Sequence, residues 1–382
     1  MVIASEYEFN PRVRRQAEAL AARGDDVTVL ALAAPDRPPV ETIDGVHVVH
    51  APVRKYRGSS TIAYLNLYGR YFGYAVGWML PRLRAFDLVQ VHTMPEAMVF
   101  TSSAHRLAGV PLLLDVHDLT ERLYASKFRG RGPLIAAVRA SSRLALSFVH
   151  EVLTVHEPYA AAIRGWTSRP VTVVMNSPDP RVFPSRPYQC GTSDHVVFGY
   201  HGLIAPRHGI VNAVEALARL RVEIPGARLQ ILGSGDGLAE VRDRVAALGL
   251  GDAVSLPTRS HSITEISELL RQVHIGLVPS LRDPWTDDVL PTKLLEYAAL
   301  GIPVISFRNP VIERYFPPDS VTYVDQASAD NLLVAMRRLI DDRELARRQA
   351  ERASEVVATM SWDHQKMTYF EVIDRMTADR RA

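Results

Sequence analysis

Short runs of β-branched and aliphatic residues alternate with helix-period stretches along almost the whole chain. Val2, Ile3 and Ala4 precede a helix predicted over 12–23, with Gly24 placed to end it. Apolar runs follow at 27–32 and 46–49, then at 88–91 after Asp87. A helix is predicted over 95–107, stopped by Gly109, and further apolar runs fall at 112–114, 152–155 and 171–174. Apolar runs spaced by helices mark parallel strands covered on both faces. Residues 1–176 therefore read as a doubly wound α/β domain.

Residues 176–187 break the rhythm. Pro178, Pro180, Pro184 and Pro187 crowd this stretch, which reads as a linker over 177–190. The alternation then restarts. Strands are predicted at 196–200, 228–232, 254–256, 275–279 and 303–306, with helices over 209–220 and 238–248. Helices over 329–340, 343–358 and 362–376 close the chain. The fold expected is α/β: two tandem Rossmann-like doubly wound domains, 1–176 and 191–360, followed by a helical segment, 361–382. In open sheets of this kind, ligands sit beyond the carboxyl ends of the strands. Two such domains suit an enzyme that holds one substrate on each, and equally a two-lobed binding protein.

Composition narrows the class. Of 382 residues, 47% are hydrophobic and 23% charged, which excludes a disordered or coiled-coil chain. The single cysteine, Cys190, excludes a disulfide-built scaffold and makes a cytoplasmic location the expectation. The opening residues lack a basic region before an apolar run, so no signal peptide is expected. No uncharged apolar stretch is long enough to span a membrane. Residues 1–186 carry 22 Lys and Arg against 16 Asp and Glu, whereas residues 187–382 carry 22 against 26. The basic excess of the first half is too diffuse for nucleic acid, but it suits an anionic acceptor or membrane surface as well as scattered surface charge.

The most informative segment is 283–305. It reads as a loop, a helix beginning near Pro291, a stop at Gly301 and a buried strand. The helix start presents free N–H groups and the positive end of the dipole at the strand-end face, a ready place for phosphate. Lys293 is a cation in the first turn, where an anion is favoured. It reads as a solvated lysine, or as the partner of an anionic ligand. Asp288 and Glu296 stand in an acid-x7-acid spacing on either side of that helix start, suited to accepting bonds from sugar or ribose hydroxyls.

This segment resembles the retaining GT-B glycosyltransferases of the family 4 type, the glycosyl transferases group 1. Their second domain carries a Glu-x7-Glu motif and a Gly-x-Pro-Val-Ile strand. Here the first acid is Asp288, and Val289-Leu290 replace the usual Phe-Gly. Residues 290–297, Leu-Pro-Thr-Lys-Leu-Leu-Glu-Tyr, match a subset of the family closely. The resemblance implies that Glu296 binds the ribose hydroxyls and Asp288 the hydroxyls of the donor sugar. It also implies that Leu290, Pro291, Thr292 and Lys293 line the donor site. The turn 200–209 resembles the family's diphosphate loop, with Gly202, Arg207 as the cation and His208 contributing when protonated. His117, at the end of an apolar run in 114–121, resembles the catalytic-face histidine that approaches the donor sugar near its C6 hydroxyl. His92 and Asp118 are placed on the acceptor side, with Asn10 and Arg12 near the same face. Residues 257–263 are placed near the nucleobase.

The turn 233–237 lacks the third glycine of a dinucleotide fingerprint, and none follows the first strand, which disfavours a nicotinamide enzyme. No Asp-x-Asp pair in a fitting context and no His/Cys cluster at ligand spacing stand in the sequence. Neither metal nor cofactor is therefore expected, the nucleotide sugar being a co-substrate. The reading is a retaining, metal-independent transferase of a sugar from a nucleoside diphosphate, UDP by default, to a hydroxyl acceptor. Alternatives are an epimerase or phosphorylase of the same fold and a two-lobed sugar-binding protein. Tyr64, Tyr68, Tyr71, Phe72, Tyr74 and Trp78, with Arg70, Lys55 and Arg57, read as a partly buried aromatic helix or as peripheral membrane contact at the inner face. The last helix, with Trp362 and Tyr369, is expected to cross back to the first domain.

Overall fold

The computed structural model describes residues 1–56, 60–127, 132–192, 194–259 and 261–381, so Arg57 and Ser260 lie outside the described residues. The chain divides into two compact units, Met1–Asn176 with Gln365–Ala382, and Ser177–His364.

In the first unit, β1 (Thr28–Ala33), β2 (Val40–Ile43), β3 (Val46–Arg54), β4 (Val89–His92), β5 (Leu112–Val116), β6 (Glu151–Thr154) and β7 (Val171–Val173) form the sheet. The orders β1-β3-β2 and β4-β5-β6-β7 are joined through Val2, which bridges both Leu30 of β1 and Val91 of β4. The run expected at 2–4 is thus reduced to one bridging residue, and it sits where the chain turns from one half of the sheet to the other. Neighbours are parallel except β2, which pairs antiparallel with β3 at the edge. β2 escapes a pattern search because Val-Glu-Thr-Ile is neither an apolar run nor an apolar-polar alternation, with Val40 exposed and Glu41 half-buried.

The helix expected over 95–107 is instead a 3-10 segment, Glu96–Ser102, continued by a short α-helix, Ser103–Leu107. Thr101 Oγ1 donates to the Met98 carbonyl and Ser103 Oγ to that of Phe100, both three residues back. Such local side-chain bonds favour the tighter turn.

The second unit holds β8 (Val196–Leu203), β9 (Ala227–Ser234), β10 (Val254–Ser255), β11 (Ile275–Val278), β12 (Val304–Phe307) and β13 (Thr322–Val324). Their order is β10-β9-β8-β11-β12-β13, all parallel. The chain leaves β8 first toward β9 and later returns on its other side as β11, so β8 and β11 flank a topological switch point. The Pro-rich stretch read as a linker carries no regular element but is packed on this unit. Phe183 is buried, and Arg186 donates to the carbonyls of Leu270 and Leu300.

The last helix, Trp362–Arg381, starts in the second unit, and from Gln365 onward it packs in the first. There Tyr369 Oη donates to Gln90 Oε1 at 2.7 Å and Arg375 to Glu151 at 2.6 Å.

Candidate active site

The switch point of the second unit gathers the residues of two loops. The first runs from the end of β8 through a 3-10 turn, Pro206–His208, to Gly209 and the helix Ile210–Leu220. The second runs from β11 through the turn Thr286–Asp288 to the helix Thr292–Ala299. They lie against each other. Leu281 N donates to Arg207 O, and a Cβ on Gly209 would stand 2.0 Å from the Pro279 carbonyl oxygen. With φ at +63°, Gly209 is demanded twice over.

The second loop is held from within. Asp283 Oδ1 accepts from the Trp285 and Thr286 N–H groups. Buried Asn309 donates to the carbonyls of Thr286 and Val289 while its Oδ1 caps the next helix through Ile312 N. A side-chain amide that satisfies three backbone groups fixes where the helix after the loop must begin. That helix starts from Pro291 with no side-chain cap, and although Leu294 N donates to Pro291 O, the turn before it offers a place for an outside acceptor.

Around this helix start the expected residues converge. Lys293 Nζ donates to Tyr200 Oη at 3.1 Å, lies 4.5 Å from the Tyr200 ring centroid, and passes beside Gly202. Burial pushes its ammonium down to about 8, with Glu296 opposing the shift and Arg207 adding to it. Arg207 lies 4.8 Å from the Trp285 ring centroid, and its buried Nε finds no partner among the described residues. Glu296 is buried in the middle of its helix, where Oε2 accepts from His201 Nε2 at 2.5 Å. Asp288 is half-buried in the turn before the helix, and Leu290, Pro291 and Thr292 complete the approach to it.

His208 departs from its expected role as a charged contributor. It is buried, its Nδ1 donates to Leu203 O at 2.6 Å, and burial with Lys293 nearby pushes its pKa down to about 3. It is therefore a neutral ring that holds the loop. His201, Tyr200, Trp285 and Asn309 are the site residues that pattern alone did not single out.

The first unit has a second constellation, at the carboxyl ends of β4 and β5. Register pairs His92 with Asp115, and His117 follows two residues on. His117 N donates to Thr93 Oγ1 at 2.9 Å, which ties the two strand ends. Asp115 is fully buried and accepts from Arg12 Nη2 at 2.8 Å, Arg12 Nε at 3.0 Å and Gln16 Nε2 at 2.8 Å. Burial alone would raise this carboxyl, but the charges of Arg12 and His117 and bonds from both histidines hold it well below the ordinary value.

One acceptor-side expectation, that for His92, is corrected here. Arg12 does lie at this constellation, where Asp115 and the Val174 carbonyl take its guanidinium. His92 lines no open face. Its side chain is fully buried, and burial lowers its pKa to about 4 despite Asp115. Asn10 caps the helix Pro11–Arg23 by accepting from Val13 N. Asp118 lies half-buried in the turn before the helix Thr120–Lys127. His117 is the partly open member, with its Nε2 turned inward, 3.2 Å from His92 Nδ1 and 3.4 Å from Asp115 Oδ2.

Those three inward atoms could hold a metal ion by their spacing, a grouping that linear spacing did not disclose. The charge balance fits one poorly. Arg12 already neutralises Asp115, so a dication would meet a buried guanidinium beside its only anionic ligand. A second group, Glu8, Glu41 and His50, lies on the β2–β3 side and carries its own cation, with Arg37 at 3.1 Å from Glu41 and 3.4 Å from Glu8.

Two doubly wound α/β units, one with a wholly parallel sheet and one parallel but for its edge strand, have the architecture of the GT-B class. Comparison with known proteins gives the family. Residues 9–179 match the glycosyl transferase 4-like domain and residues 192–356 match glycosyl transferases group 1, so the chain belongs to this glycosyltransferase family. Its fold is that of sucrose-phosphate synthase from Thermosynechococcus elongatus, at TM-score 0.78, 18% identity and 99% of each chain. HepE of Anabaena, solved in complex with UDP, matches at TM-score 0.70, 15% identity and 98% of each chain.

Among curated proteins, the D-inositol 3-phosphate glycosyltransferase of Kineococcus radiotolerans is 26% identical over 98% of this chain and 92% of its own. The 2-deoxystreptamine glucosyltransferase of Streptomyces kanamyceticus is 26% identical over 78% of this chain and 80% of its own. An exopolysaccharide phosphotransferase of Streptomyces coelicolor is 28% identical over 40% of this chain, which spans only 16% of that protein's length.

Proposed function

We propose that this protein transfers a sugar from a nucleoside-diphosphate sugar, a UDP-sugar before others, to a hydroxyl acceptor with retention of configuration and without a metal. The observation that carries the reading is the uncapped start of the helix Thr292–Ala299, with Lys293, Arg207 and Glu296 gathered around it. The helix N–H groups, Lys293 and Arg207 receive the diphosphate and stabilise the charge that grows on it as the sugar departs. Glu296, with Oε2 held by His201, offers Oε1 to the ribose hydroxyls. Asp288 takes hydroxyls of the donor sugar. His117, held beside Asp115, is the residue of the first unit to which we assign a catalytic role.

UDP is favoured because HepE is known bound to UDP and to UDP-glucose. The named acceptors of two relatives, 2-deoxystreptamine and D-inositol 3-phosphate, support a hydroxyl acceptor. The polymer, glycolipid or small molecule that presents that hydroxyl here belongs to an acceptor screen.

The test is thermal stability with UDP, GDP, ADP, NAD and free sugars in the presence of a chelator. A ligand at a hundredfold excess over its Kd stabilises the folded state by about 2.7 kcal/mol. The expected result is stabilisation by one nucleoside diphosphate, followed by acceptor-dependent consumption of the matching sugar donor. Stabilisation by a free sugar alone, or turnover of the donor without any acceptor into an epimer, would overturn the proposal.

A further inference from the structure

The helix Thr61–Met79 is anchored on one face only. Leu67, Tyr71, Ala75 and Met79 follow at four-residue steps and are buried in the core of the first unit, and Tyr71 Oη donates to Leu30 O at 2.8 Å. The opposite face is open. Ile62 is 80% exposed and Leu65 66%, and Leu80 just past the helix end is 51% exposed. Asn66, Gly69, Gly73 and Gly77 are exposed between them.

No charged side chain stands on this outer stripe, and Arg70, on its flank, is the only charge in the helix. Outer helix faces in water ordinarily carry charge. The glycines are not there to admit another part of the fold, because a Cβ on Gly69, Gly73 or Gly77 would meet nothing within 4 Å. Each weakens the helix relative to alanine.

The stretch of sequence that holds this helix carries charge of one sign. No Asp or Glu occurs between Asp44 and Asp87, whereas Arg54, Lys55, Arg57, Arg70, Arg82 and Arg84 do. Arg82 lies 4.2 Å from the Trp78 ring centroid at the carboxyl end of the helix. No helix among the described residues is long and apolar enough to cross a membrane. A second copy of the chain would set these basic flanks against each other, but an anionic surface would complement them.

We propose that this face of the first unit docks on an anionic phospholipid bilayer. The helix lies in the plane of the interface. Ile62, Leu65 and Leu80 enter the acyl boundary, and the flanking arginines and lysine sit among the headgroup phosphates. The glycines let the backbone approach the surface closely.

The full chain is tested by co-sedimentation with vesicles of phosphatidylcholine alone and with phosphatidylglycerol added, a readout that needs no nucleotide or acceptor. Binding is expected only with phosphatidylglycerol present and is expected to weaken as salt rises. Ile62→Ser with Leu65→Ser, and separately Arg70→Glu with Arg84→Glu, are expected to weaken it at least about tenfold with thermal stability unchanged. Equal binding to both vesicle types would overturn the proposal, and so would variants that bind like wild type. A concentration-dependent dimer in solution that Ile62→Ser with Leu65→Ser abolishes would also overturn it, by assigning the face to a second copy.

Discussion

Replacing Asp115 by alanine isolates the charge balance on which the first unit's constellation rests. Arg12 and Asp115 are 3% and 0% exposed and meet at 2.8 Å, although 103 residues separate them in sequence. The variant leaves a buried guanidinium with only the Val174 carbonyl to accept from it. Breaking one side of a buried pair costs about 3–5 kcal/mol. In a unit of this size, each kcal/mol moves the melting temperature by roughly 2–4 °C, so a fall of roughly 6–20 °C is expected by calorimetry. The double variant Arg12→Met, Asp115→Leu removes both charges and is expected to recover most of the loss.

The same pair sets an acid response. The folded-state pKa of Asp115 is depressed, so its contribution is present above about pH 4 and is lost as pH falls through the folded value. His92 adds a second window. Burial lowers it to about 4, so between that pH and about 6.5 the unfolded chain binds a proton that the folded chain refuses. Stability is therefore expected to fall as pH drops through that range. An Asp115→Ala protein within about 1 kcal/mol of wild type would refute the reasoning, because it would mean that water already screens the pair.

Three further outcomes follow from the second unit. Gly209→Ala forces a methyl group onto the Pro279 carbonyl at a positive φ, and it is expected to cost more than about 1 kcal/mol in urea unfolding and to weaken nucleotide binding. Asn309→Ala strands two carbonyls, that of Thr286 buried and that of Val289 partly so, and one helix N–H, with a loss of roughly 2–4 kcal/mol expected by the same measurement. Lys293 is charged below about pH 8 and neutral above it, so calorimetric affinity for a nucleoside diphosphate should fall as pH rises through that value. In Lys293→Met the affinity should be low and flat across the same range.

Much of this fold was legible because buried parallel strands write themselves as apolar runs. The exceptions are instructive. β2 was hidden because its four residues are neither an apolar run nor an alternation, and the 3-10 segment Glu96–Ser102 has a helical composition but different local bonds. In the site, 283–305 could be read directly, since Pro291 and Gly301 bracket a helix and place Lys293 and Glu296 within it. The partners of those residues were not legible. Nothing local says that His201 faces Glu296 across 95 positions, or that Asn309 reaches back to Val289.

His208 was misread because nothing local shows what surrounds it. A charge on paper becomes a neutral ring only once the fold shows what encloses it. Asp115 did leave a signal, a lone carboxylate inside an apolar strand, which implies a buried counter-charge without naming Arg12.

The central claim is that the start of the helix Thr292–Ala299 is the donor site. Isothermal titration of UDP against wild type and Glu296→Gln, with GDP and ADP as alternates and a chelator present, tests it most directly. Glutamine keeps the length and one acceptor for His201 but loses the charged oxygen offered to the ribose. The account predicts that one of these diphosphates binds wild type and that the variant binds it at least about tenfold more weakly, a loss of about 1.4 kcal/mol, with its thermal stability retained. Binding of the same nucleotide with equal affinity to both proteins would place the donor elsewhere and contradict the account.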